Sequence, residues 1–190
     1  SLKIDSNQRY FFYPAQFWAH KNHTYIIDAI SILKNKKKLD FKIVFSGVDK
    51  GNLRHIKKII KDKNLEEHFI IFNYLTDEEI LTLYKKSLGL VMPTYVARST
   101  LPLYEAFYLK IPVFYSKNIL DEKLEELVFS FDLNKPEELS DYLLNYDNLE
   151  LNNKIQLASN YFEKNCNNDL KKKILNNLIE EYKEFSRRWT

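Results

Sequence analysis

HFIIFNYLTDEEILTLYKKSLGLVMPT, residues 68–94, holds the pattern that decides the fold. Its opening run, His68 to Phe72, is short, apolar and rich in β-branched and aromatic residues, which predicts a buried strand. Thr76 is followed three residues later by Glu79, the capping-box spacing that starts a helix. A second apolar run, Leu88 to Met92, predicts another strand and stops at Pro93-Thr94. Neither strand alternates apolar with polar residues. Strands apolar on both faces are covered on both faces, which is the situation in a parallel sheet.

The same unit repeats outward in both directions. Towards the N-terminus, Arg9–Tyr13 and Phe41–Phe45 read as strands, the second ending at Ser46-Gly47. Tyr25, Ile26, Ala29, Ile30 and Leu33 keep helical spacing within Asn22–Leu33, as do Leu53, Ile56, Ile59 and Ile60 further on. Towards the C-terminus come a short helix through Glu105-Ala106-Phe107, a strand over Ile111–Tyr115 and a sixth strand over Leu127–Phe131. Beyond Asn134 only helices are predicted: one from Pro136, then Leu149–Phe162 and Asp169–Phe185. The fold class is α/β, a Rossmann-like doubly wound parallel sheet of about six strands with a helical C-terminal tail. Residues 1–190 read as a single domain, with a strand-and-helix core over 8–135 and helices over 136–190. Ligands on such sheets bind at the carboxyl ends of the strands, so function is sought in the loops after Tyr13, Phe45, Phe72, Met92 and Tyr115.

Composition narrows the chemistry. The 190 residues include 29 basic and 26 acidic side chains, a net charge of +3, which gives no footprint for nucleic acid. Cys166 is the single cysteine, so neither a disulfide framework nor a cysteine-built zinc site is available. The 3 glycines, Gly47, Gly51 and Gly89, cannot assemble a G-x-G-x-x-G or Walker-type phosphate cradle. No apolar run approaches the ~20 residues of a membrane-spanning helix.

Two loops carry the candidate chemistry. In Pro14-Ala15-Gln16-Phe17-Trp18-Ala19-His20-Lys21-Asn22-His23, a lysine stands at the predicted start of a helix, where an anion is favoured and a cation is not. Lys21 therefore reads either as a phosphate ligand or as a solvated side chain beside an Asn22 cap. His20 and His23 have no third ligand at matching spacing, so no metal is expected. In Pro93-Thr94-Tyr95-Val96-Ala97-Arg98-Ser99-Thr100-Leu101-Pro102-Leu103-Tyr104-Glu105-Ala106, hydroxyls and helix amides precede a glutamate that can accept two hydrogen bonds from a ribose diol.

PTYVARSTLPLYEAFYLKIPVFYS resembles the signature segment of the nucleotide-sugar-binding half of group 1 retaining glycosyltransferases, which have the GT-B fold. Pro93-Thr94, Leu101-Pro102, Glu105-Ala106 and Pro112-Val113 fall in the family's order. YPAQFWAHKNHTYIIDAISIL is similar to the family's lysine-then-helix segment, and the likeness runs from Tyr10 to Ser116. The resemblance implies that Glu105 binds the donor ribose and that Lys21 pairs with the diphosphate as catalytic cation. It implies that Asn73, Tyr74 and Leu75 meet the base, and that Ser99, Thr100 and Leu101 touch the diphosphate or sugar. Gly47 would allow a close approach to the ligand. Two positions depart from the pattern. Ala97 stands where many relatives have a sugar-binding glutamate, and Gln16 where they have an arginine, with Arg98 as a candidate replacement charge.

The resemblance further implies a cytoplasmic bacterial enzyme of surface polysaccharide or glycolipid synthesis. It would use a nucleotide-sugar donor as substrate and no cofactor. A separate N-terminal acceptor-binding domain would complete it, and this chain alone would turn over poorly. Lys36–Lys38 and Lys171–Lys173 read as solvated helix surfaces, with peripheral attraction to anionic lipid at the inner membrane face as the secondary reading. Two alternatives stay open: a non-catalytic α/β nucleotide-binding or interaction module, and a nucleotide-sugar epimerase.

Overall fold

The computed structural model describes residues 4–5, 7–36, 39–96 and 101–166. Six parallel strands form one sheet: β1 (Arg9–Pro14), β2 (Phe41–Ser46), β3 (Phe69–Phe72), β4 (Gly89–Met92), β5 (Val113–Ser116) and β6 (Phe129–Phe131). Their spatial order is β3-β2-β1-β4-β5-β6, so the chain reverses direction across the sheet between β1 and β4. β1 pairs with β2 along its whole length, Arg9 opposite Phe41 through Pro14 opposite Ser46. Only Phe11 and Phe12 pair with β4. The end of β1 thus stands clear of β4 on that side, which opens a crevice at the switch point.

The helices are α1 (His23–Lys36), α2 (Leu53–Asp62), α3 (Asp77–Lys86), α4 (Leu101–Tyr108), α5 (Glu122–Glu125), α6 (Pro136–Leu144) and α7 (Leu151–Cys166). Successive side chains of a strand point to opposite faces, and β1 shows that both faces are covered. Phe12 meets Tyr84 of α3 edge to face at 5.2 Å. Its neighbour Tyr13 lies 4.8 Å from the ring of His23 in α1. The apolar character of the strands follows directly, since all four central residues of β1 are buried. An aromatic cluster locks the lower half of the sheet: Phe11 contacts Phe41, Phe114 and Tyr146 edge to face at 5.1, 5.7 and 5.2 Å. α6 packs on α1, and α7 packs on α4.

The capping box of α3 forms as predicted. Thr76 Oγ1 accepts from the Glu79 amide at 3.3 Å, and Glu79 Oε2 accepts from the Thr76 amide at 3.0 Å. Several elements differ from expectation, among them β6, which starts at Phe129 instead of Leu127. His68 closes a 3-10 turn, Glu66–His68, ahead of β3 instead of belonging to the strand. β5 begins at Val113, because Pro112 has no amide to give to the ladder, although its carbonyl still accepts from Leu90 at 2.9 Å. α5 was unforeseen; it is a single turn whose start is fixed by Asp121 accepting from the Leu124 amide at 2.8 Å. The predicted helix over 169–185 lies outside the described residues. None of the described helices is long and apolar enough to cross a membrane.

Candidate functional site

Pro14, at the carboxyl end of β1, is the common wall of three adjoining clefts along the sheet edge. One, of about 720 Å³, runs towards Lys21 and is bounded by Gln16, Trp18, Met92 and Pro102. A second, of about 400 Å³, lies between α3 and α4 and contains Tyr84 and Glu105. The third, of about 250 Å³, passes over Gly47 to Asn73, Tyr74 and Leu75. Lys21, Gln16, Gly47, Tyr74, Leu75 and Glu105 come from four separate loops and helices. The topology gathers them in three adjoining clefts around the switch point.

Lys21 lies just ahead of α1, which begins at His23. It ends a separate 3-10 turn, Ala19–Lys21, and Asn22 then takes the left-handed conformation with φ 54°. The Asn22 side chain accepts from the Thr24 hydroxyl at 3.0 Å, in place of the expected cap. The turn is held from below and from the side. The fully buried Tyr13 donates its hydroxyl to the Lys21 carbonyl at 2.7 Å. The Tyr95 amide donates to the His20 carbonyl at 3.0 Å, and the Thr94 hydroxyl, whose shorter bond is to the Val96 carbonyl at 2.8 Å, lies 3.2 Å from the same oxygen. The turn that carries the ammonium is therefore tied to both β1 and the segment after β4. Burial lowers the pKa of Lys21 below the ordinary lysine value, because a partly desolvated ammonium is less favourable than a solvated one. An anion in the cleft would restore what desolvation removes.

Glu105 is half-buried on α4 and faces its cleft. The Tyr84 hydroxyl donates to Glu105 Oε2 at 2.9 Å. Burial and the neighbouring carboxylate both raise the Tyr84 pKa, so the phenol stays a donor. Tyr84 occupies one side of the carboxylate, and Glu105 Oε1 makes no hydrogen bond among the described residues. The arrangement leaves a carboxylate oxygen as acceptor at the wall of a cleft, the chemistry that recognises a diol.

Gly47 has a role beyond the one expected of it. A Cβ there would overlap the Ala15 carbonyl oxygen and come within 2.8 Å of Gln16 Cα. The absent side chain lets the loops after β1 and β2 lie against each other, and only then do they line a shared cleft. Tyr74 is 77% exposed, so its ring stands out from the groove wall, while Leu75 packs against the core. Leu101 opens α4 and is exposed. Ala97, Arg98, Ser99 and Thr100 lie outside the described residues. So do Lys37, Lys38 and Lys171–Lys173 of the lysine clusters, whereas Lys36 pairs with Asp141 at 3.2 Å.

His23 is fully buried among Tyr13, Phe17 and Phe45, whose rings lie 4.8 to 4.9 Å away. Neither ring nitrogen has a hydrogen bond of good geometry among the described residues. Burial drives its pKa down to about 3, opposed only in part by the nearby Ala15 backbone. It is a neutral core residue beneath the lysine turn. No group of three His, Cys, Asp or Glu side chains fit to hold a metal occurs among the described residues. The supporting residues Tyr13, Tyr84 and Tyr95 were not foreseen; Tyr84 and Tyr95 act through partners far away in sequence, for which a single sequence has no signal, whereas Tyr13 acts through a backbone carbonyl in the next loop.

No curated protein matches the chain by sequence. Several solved structures share its fold. A glycosyltransferase from Rickettsia africae aligns with 95% of the chain at 22% identity and a TM-score of 0.73, over 48% of its own length. HepE of Anabaena, in complex with UDP and glucose, aligns with 83% of the chain at 13% identity and a TM-score of 0.66, over 44% of its length. WaaG, a glycosyltransferase involved in lipopolysaccharide biosynthesis, aligns with 84% of the chain at 16% identity and a TM-score of 0.67, again over 44% of its length. The chain thus spans less than half the length of these structures. Its sequence matches the group 1 glycosyl transferases over residues 1–160, and the chain belongs to that family.

Proposed function

We propose that the chain is the donor-binding half of a glycosyltransferase that moves a sugar from a nucleotide-sugar to an acceptor, in surface polysaccharide or glycolipid synthesis. The observation that carries this reading is the set of adjoining clefts that meet at Pro14, one lined by Gln16 and Lys21 and another by Glu105. In this reading the base lies over Asn73–Leu75 and the ribose diol donates to Glu105. The diphosphate crosses Pro14 towards Lys21, and Arg98, Ser99, Thr100 and Leu101 are kept as its further candidate partners on the strength of the family resemblance alone. As the bond from the anomeric carbon to the diphosphate breaks, negative charge collects on the departing oxygen. A preplaced ammonium in a partly water-excluded cleft stabilises that charge without reorganising at the moment of reaction. No cofactor enters the scheme, since the nucleotide-sugar is itself the substrate.

An acceptor-binding domain completes the enzyme in this reading. Its support is the chain's span of 44–48% of the structures quoted above. Saturation-transfer NMR with UDP, GDP, ADP and their glucose conjugates tests the assignment. Transfer to the base and ribose protons of at least one nucleotide is expected. Absence of transfer to every one would favour a non-catalytic interaction module instead.

A further inference from the structure

Gln16 and Trp18 flank Phe17, which is fully buried, and both are themselves exposed. Phe17 is fastened to the loop after β2 by its amide, which donates to the Val48 carbonyl at 3.1 Å, and by a bridge to Asp49. With the central residue pinned inward, its two neighbours are turned out together on the groove side, and both line the cleft that leads to Lys21. Their side chains meet there: Trp18 Nε1 lies 3.0 Å from Gln16 Oε1.

An indole N–H donates and cannot accept. It can therefore bond only the oxygen of the carboxamide, and this fixes which end of Gln16 faces which way. The oxygen is held by Trp18, and the NH₂ group is left as the outward donor. Gln16 also lines the cleft over Gly47, so its amide stands between the base end and the lysine end of the groove. A freely rotating glutamine would offer an anion its carbonyl oxygen as readily as its NH₂.

We propose that Trp18 is a positioning residue that holds Gln16 with its amide NH₂ towards the donor diphosphate, so that a neutral, oriented donor supplements Lys21. The proposal rests on the donor-binding reading above. Trp18 acts through Gln16, and its ring is not required to touch the ligand. The experiment is a calorimetric comparison of UDP with uridine on four forms of the chain: wild type, Trp18→Phe, Gln16→Ala and the double variant. Trp18→Phe keeps an aromatic ring but loses the N–H. Losing one hydrogen bond's worth of orientation, ~1 kcal/mol, corresponds to roughly 5-fold in Kd. Trp18→Phe is expected to weaken UDP by that factor, to leave uridine unchanged, and to add nothing when Gln16 is already alanine. A silent Trp18→Phe, equal losses for UDP and uridine, or an undiminished loss in the Gln16→Ala background would each overturn the proposal. If the wild type binds neither UDP nor GDP nor ADP, the donor-binding reading itself fails, an outcome distinct from wild-type binding that Trp18→Phe does not alter.

Discussion

Replacing Glu105 separates a ribose-binding carboxylate from an incidental one. One of its oxygens is engaged by Tyr84 at 2.9 Å, and the other is available at the cleft wall. A hydrogen bond to an ionised group contributes ~1.5–3 kcal/mol, so Glu105→Ala should weaken a bound nucleoside diphosphate about 10- to 150-fold. The variant also strands the hydroxyl of Tyr84, a cost of ~1–3 kcal/mol in stability if water does not replace the lost acceptor. Glu105→Gln is the sharper perturbation. It keeps an oxygen for Tyr84 and exchanges the charged acceptor for a neutral amide, so fold stability should hold while affinity drops by roughly 5-fold, the difference between charged and neutral hydrogen bonds. Calorimetry with UDP and its 2′,3′-dideoxy analogue, alongside urea unfolding of each variant, reads both effects. The wild type should discriminate strongly between the two ligands and Glu105→Ala should scarcely do so. If Glu105→Ala binds UDP as tightly as the wild type, or discriminates against the dideoxy analogue as well as it does, the carboxylate does not hold the ribose.

Three further outcomes follow from the same geometry. Burial lowers the Lys21 pKa, so the cation is lost at a lower pH than for an ordinary lysine. Affinity for UDP should fall on that alkaline limb, and Lys21→Arg should abolish the fall; uridine, which carries the same base, subtracts ionisation of the base itself. His23 has a folded pKa of about 3 against an ordinary value of 6.5, so the unfolded chain binds the extra proton between those values. Its contribution to stability is intact above pH 6.5 and is lost as pH falls towards 3, about 2 kcal/mol by pH 5. Urea unfolding at pH 8 and pH 5 should show the wild type losing that much more than His23→Leu, and equal losses would show that the ring is not neutral in the fold. Gly47→Ala places a methyl against the Ala15 carbonyl and Gln16 Cα; the overpacking should cost ~1–3 kcal/mol in an unfolding titration, whereas an unchanged midpoint would mean that the two loops separate freely.

The sheet was legible because parallel strands must be apolar on both faces, and RYFFY, FKIVF and LGLVM announce that without help from distant residues. Thr76 and Glu79 were legible for a similar reason, since a capping box is local. Element ends were less so: the strand predicted from Ile111 starts at Val113, where the first amide after Pro112 becomes available. Candidate residues for a site could be named from the sequence, but what holds them in place could not. Lys21 was placed at the start of a helix, and it ends a 3-10 turn just ahead of α1 that is held by Tyr13 and by the Tyr95 amide from the segment after β4. Tyr84 is 21 positions from Glu105, and only the packing of α3 beside α4 brings them together. Gly47 was read as space for a ligand, while its missing Cβ first makes space for the chain itself.

The account stands most directly on whether the groove around Pro14 receives a nucleoside diphosphate through Lys21 and Glu105. Thermal unfolding of the wild-type chain and of a Lys21→Ala/Glu105→Ala double variant, each titrated with UDP, GDP and ADP, measures that. A ligand present at 100 times its Kd stabilises the folded state by about 2.7 kcal/mol. At least one nucleotide should raise the wild-type midpoint, and the same concentration should leave the double variant unmoved. A wild type that no nucleotide stabilises, or a double variant stabilised as much as the wild type, would contradict the assignment of the groove.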